Sequence, residues 1–173
     1  MRNTHLVHTL KYITYGVMLI LLYVLQSVPH LFEIRGVKPI WVIPAAIIVA
    51  MFEGEFVGGI FGALAGLFCD MGGFSLFGFR AVLTLLCCVS AGMLVIYLLH
   101  CNLTNALGFA AVALILEGSL DYLFTYSIWG YESSWMVLTG KILPTAVYSL
   151  AVVPLLFWLI RAIFRRFEAA LRD

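Results

Sequence analysis

Glycines stand at positions 54, 58, 62 and 66, each four residues after the last, and the next step of four reaches Asp70. On a helix of 3.6 residues per turn, a spacing of four drifts by roughly 40° per step. Gly54, Gly58, Gly62 and Gly66 therefore form one slowly winding strip without side chains, ending in a carboxylate. In water such a strip makes a poor helix, because each interior glycine costs about 1 kcal/mol relative to alanine. In lipid it has a use. Backbone polar groups close on themselves there, and small residues let a second backbone approach. The strip predicts a close-packed helix interface, with Asp70 as a candidate binding group at its end.

The composition supplies the lipid. Of 173 residues, 64% are hydrophobic and 11% charged, against about 45–50% and about 25% in an ordinary soluble domain. The chain is an all-α, polytopic integral membrane protein of one domain, residues 1–173. Its polar stretches are too short to hold a soluble catalytic or nucleic-acid-binding module. The net charge of +1 gives no basic field for nucleic acid.

Apolar runs place six spans at about 12–28, 40–52, 56–71, 79–99, 106–126 and 136–160. Pro29 closes the first, which reads as uncleaved because no small-x-small site follows it. The second and third are short for a hydrocarbon core of about 30 Å, and Glu53-Gly54-Glu55 turns sharply between them. A re-entrant pair of half-helices is the alternative for this stretch. Gly73 and Gly78 punctuate the loop before the fourth span. Basic residues crowd both ends: Arg2 and Lys11 in the head, and Arg161, Arg165, Arg166 and Arg172 in the tail. The positive-inside rule then puts both termini in the cytoplasm and requires an even number of crossings. The tail continues as a basic amphipathic helix suited to anionic headgroups.

Five charged residues fall inside these spans: Asp70, Arg80, Glu117, Asp121 and Lys141. Charges at membrane depth usually pair. The nearest partners in sequence are Asp70 with Arg80 and Asp121 with Lys141, leaving Glu117 over. The arrangement reads either as fold-locking ion pairs or as a polar pocket open to the outer face. A proton relay is a further alternative, for which only the Glu117–Asp121 step is visible. No serine or cysteine stands near a histidine and an acid in nucleophile spacing. The cysteines (Cys69, Cys87, Cys88, Cys101) lack metal-ligand spacing. The expectation is a protein that is not an enzyme and carries neither cofactor nor metal.

The run from Gly58 to Arg80, with glycines ahead of Gly66-Leu-Phe-Cys-Asp70 and a glycine-rich turn after it, resembles the signature of the bacterial rod-shape-determining MreD family. The short chain, basic ends and proline-led second span resemble it as well. What this implies is a non-enzymatic, multi-pass component of the cell-elongation machinery in the bacterial inner membrane. It would partner an MreC-like single-span protein and the peptidoglycan synthesis complex, and be tied indirectly to an MreB-type filament. The family in turn is similar to the six-helix substrate-capture (S) components of energy-coupling-factor vitamin transporters, which gives the alternative function. The Glu53-Gly54-Glu55 turn has no counterpart in the family pattern.

Overall fold

The computed structural model describes residues 2–28, 38–71, 78–122 and 143–172, and these are all-helical. The elements are α1 (Arg2–Ser27), α2 (Val42–Glu53), α3 (Glu55–Met71), α4 (Phe79–Tyr97), α5 (Leu103–Tyr122) and α6 (Leu143–Arg172). Segments of α1, α4, α5 and α6 are long and apolar enough to cross a membrane: Val7–Ser27, Phe79–Tyr97, Leu103–Leu120 and Leu143–Ala169. The first, fourth, fifth and sixth apolar runs fall on these four helices, and the second and third fall on the shorter α2 and α3. Helix α1 starts ten residues before the predicted span, and α6 runs past residue 160 through the basic tail. Residues 123–126 of the predicted fifth span, residues 136–142 of the sixth, and Gly73 lie outside the described residues.

The shortest helix is the centre. Every residue of α2 from Val42 to Met51 is buried, and α2 touches each of the other five helices. A helix that is apolar all round belongs inside a bundle, and the sequence VIPAAIIVAMF fits that position on every face. At one end of the bundle the Gln26 side chain of α1 accepts the Trp41 N–H (2.9 Å), and Ser149 Oγ of α6 accepts the Ile40 N–H (2.8 Å). At the other end Glu53 meets Lys11 of α1. Lys11 and Gln26 are about 22 Å apart along α1 at 1.5 Å per residue, so α2 and the segment before it run antiparallel to α1 between these two levels. Twelve residues suffice because polar side chains of neighbouring helices, rather than headgroups, receive its N-terminal backbone.

Gly54 turns the chain at the Lys11 end with φ +89°, a conformation that glycine adopts without strain. Helix α3 then returns along α2 and lies antiparallel on α4. The glycine strip is the contact surface. A Cβ on Gly58 would collide with the Ala50 backbone of α2. On Gly62 it would sit 2.8 Å from Cys88 Cβ, and on Gly66 2.6 Å from Arg80 O and 2.7 Å from Ala81 N. Gly92 repays the approach from α4, where a Cβ would stand 2.7 Å from the Glu55 N. The strip is thus closed by the chain's own α2 and α4. The expectation that a second backbone packs on it holds at these positions, but they leave no bare main chain for a partner's helix. Opposite the strip, Phe56, Ile60 and Leu64 are exposed, as are Leu21 on α1, Val82 and Leu86 on α4, and Leu155 on α6. In lipid this outward apolar surface is the solvent-compatible one.

Two kinds of glycine should respond oppositely to a methyl group. Gly66→Ala forces backbone apart and should cost about 1–3 kcal/mol, as overpacking does. Gly16 and Gly108 have nothing within 4 Å of a Cβ, so alanine there should be neutral or stabilising by up to about 1 kcal/mol. Thermal unfolding of the three variants in detergent, followed by gel filtration, reads the difference.

Candidate functional site

The charged residues of the bundle collect at its two ends. At the Gln26 end, a cavity of about 400 Å³ is lined by Tyr23 and Gln26 of α1, Lys38 before α2, Cys69 of α3, Arg80 of α4 and Glu117 of α5. Five segments therefore converge on it. Arg80 Nε lies 3.7 Å from Glu117 Oε1, with side-chain exposures of 19% and 7%. The guanidinium is the more accessible of the two. Such a pocket, with a few convergent polar groups in an apolar body, is the usual form of a small-ligand site.

This geometry corrects the expected pairing. Asp70 is not the partner of Arg80. Its Oδ2 accepts the N–H groups of Gly78 (2.8 Å) and Ala81 (3.4 Å), capping the start of α4. The reason lies in the helix terminus. The first N–H groups of α4 have no intrahelical acceptor, and a carboxylate there also meets the positive end of the helix dipole. Asp70 is held at that point by the Gly66 contact one turn earlier. Gly78 has φ +90° and directs the chain into α4. Arg80, two residues on, leaves the helix on another face and reaches α5. Glu117, the expected leftover acid, is therefore its partner. The predicted Asp121–Lys141 pair falls outside the described residues, since neither side chain is among them.

At the other end stands a cluster the sequence reading did not anticipate. Lys11 of α1, only 3% exposed, forms an ion pair with Glu53 of α2. Tyr15 donates its hydroxyl to the same Glu53 Oε1 at 3.0 Å, and Lys11 Nζ lies 4.4 Å over the ring of Phe164 on α6. By sequence Lys11 belongs to the basic head and Glu53 to the Glu53-Gly54-Glu55 turn. The available signal was the four-residue spacing of Lys11 and Tyr15, which sets a cation and a hydroxyl on one face of α1. The Lys11–Phe164 contact sets the N-terminal part of α1 beside the C-terminal part of α6 at one end of the bundle.

Among the described residues, no three of His, Cys, Asp and Glu come close enough together to hold a metal ion. The four cysteines are free thiols.

The Lys11–Glu53 pair allows a discriminating test. Lys11→Met strands a buried carboxylate and should cost about 3–5 kcal/mol, whereas removing both charges should return most of that loss. Tyr15→Phe deletes one hydrogen bond and should cost about 1 kcal/mol. Melting temperatures of Lys11→Met, Tyr15→Phe and the double variant Lys11→Met/Glu53→Gln in one detergent measure all three.

Compared with known proteins, the chain matches no family model, no curated protein and no solved structure.

Proposed function

We propose that this chain is a non-enzymatic, multi-pass component of the bacterial cell-elongation machinery, an MreD-like scaffold for an MreC-like single-span protein and, through it, for peptidoglycan synthesis. The observation that carries the reading is the use made of the resemblance residues. Gly62, Gly66 and Asp70 all serve one rigid unit, the α3–α4 hairpin. A signature used up in holding helices together suits a protein whose product is shape. Since the glycine strip is covered internally, partner helices would dock on the outward apolar faces of α1, α3 and α4 instead.

The proposed topology is six crossings in the bacterial inner membrane, with both termini cytoplasmic. Within the bundle Lys11 faces Glu53, and Arg80 faces Glu117. These charges nearly cancel, which leaves the arginines of the α6 tail to set the orientation by the positive-inside rule.

One observation favours a second reading. The cavity lined by Arg80, Glu117 and Lys38 would suit a substrate-capture subunit of a transporter. Affinity purification in mild detergent separates the two. The scaffold reading expects a single-span membrane protein to co-purify, and expects Glu117→Gln to leave its yield within about twofold. Mass spectrometry of the denatured preparation should then find no small molecule at stoichiometric amount. A stoichiometric compound that disappears in Arg80→Gln would move the assignment to the transporter subunit.

A further inference from the structure

The basic end of α6 carries a second cavity, of about 370 Å³, lined by Trp158, Arg161, Ala162 and Arg165. Spacings of three and four bring these residues onto one helix face. Both charged groups in the lining are arginines. The Arg161 guanidinium lies 5.9 Å from the Phe157 ring centroid, within reach of a cation–π contact. Its charge partly opposes the rise that burial gives the Cys101 thiol. Arg165 is exposed, and Trp158 is 71% exposed. Back along α6 from Trp158, Leu155 is exposed as well, one turn from the cavity's Trp158 edge.

We propose that this groove binds the phosphate of an anionic membrane lipid, with Arg161 and Arg165 on the headgroup and Trp158 at the boundary with the acyl chains. Three features point to this ligand. Guanidinium groups match phosphate oxygens in geometry and charge. Tryptophan favours the level where hydrocarbon meets headgroup. The apolar surface running on from the arginines gives a lipid tail a place to lie, which a free anion would not use. Basic pockets beside membrane helices commonly take such headgroups. The site is separate from the Gln26-end cavity, and the inference stands under either functional reading.

The test is native mass spectrometry of the full chain, stripped of lipid in detergent and titrated with phosphatidylglycerol or phosphatidylcholine. Phosphatidylglycerol should be retained at least tenfold better. Arg161→Gln/Arg165→Gln should abolish that preference, while Arg161→Lys/Arg165→Lys, which keeps both charges, should preserve most of it. Should the glutamine variant fail to fold, the wild type still decides, because retention must fall as ionic strength rises. Equal retention of the two lipids would overturn the proposal, as would an unaffected glutamine variant or salt-independent binding. Displacement of phosphatidylglycerol by inorganic phosphate at equal concentration would make the groove a free-anion site and reject the lipid.

Discussion

The approach of α3 to α4 at backbone distance governs the rest of the molecule. In lipid there is no hydrophobic force to push apolar helices together, so association rests on packing and on internally satisfied polar groups. Gly66 has no side chain to hold off the Arg80–Ala81 backbone, and Gly62 none to hold off the Cys88 side chain and the Thr84 carbonyl. That contact brings the end of α3 to the start of α4. Asp70 can then receive the N–H groups of Gly78 and Ala81, and Arg80 is set where it can reach Glu117. The polar cavity at the Gln26 end depends on this chain of placements.

The second dependence is the burial of α2. A central helix surrounded by protein along its length meets neighbouring segments at its ends, and their polar groups can receive its terminal backbone. Gln26 and Ser149 receive the N–H groups of Trp41 and Ile40 at one end, and at the other the Glu53 side chain closes on Lys11. They tie α1 and α6 to α2 at both levels, so the bundle is fastened by polar contacts at its ends and by apolar packing between them. A short helix is suited to this role. The two fastening levels lie closer together than the faces of a bilayer, and α2 need not reach further.

What the sequence made legible is what repeats along a helix. The four-residue glycine period announces a close contact, the apolar runs announce helices, and residues 53–55 announce a turn, because each is local in the chain. What it hid is the choice of partner between distant segments. Asp70 and Arg80 are ten residues apart and look like a pair, yet a helix N-terminus competes for the carboxylate and wins. Lys11 and Glu53 are separated by more than forty residues, and no local rule connects them. Their contact follows only once α2 is seen to run antiparallel to α1, a register set by tertiary packing. Lys11 illustrates the same limit, since a lysine that counts toward the basic head in the positive-inside rule is 3% exposed and paired with Glu53.

The two ends of the bundle therefore differ in kind. At the Gln26 end the charges stand around a cavity, and the carboxylate of Glu117 is more deeply placed than the guanidinium facing it. A group entering there would meet positive charge first, from Arg80 and Lys38, with the acid behind. At the Lys11 end Lys11 and Glu53 close on each other, and the positive charge of the α6 tail lies further out. An ion pair sealed between α1 and α2 stiffens the bundle without marking its surface. Arginines left on α6 do mark it, and they do so at the level where Trp158 meets the apolar flank. Rigidity and surface character are thus set by different residues at this end. A change to the tail can alter what the membrane offers the protein while leaving the helix packing, and the scaffold role proposed for it, in place.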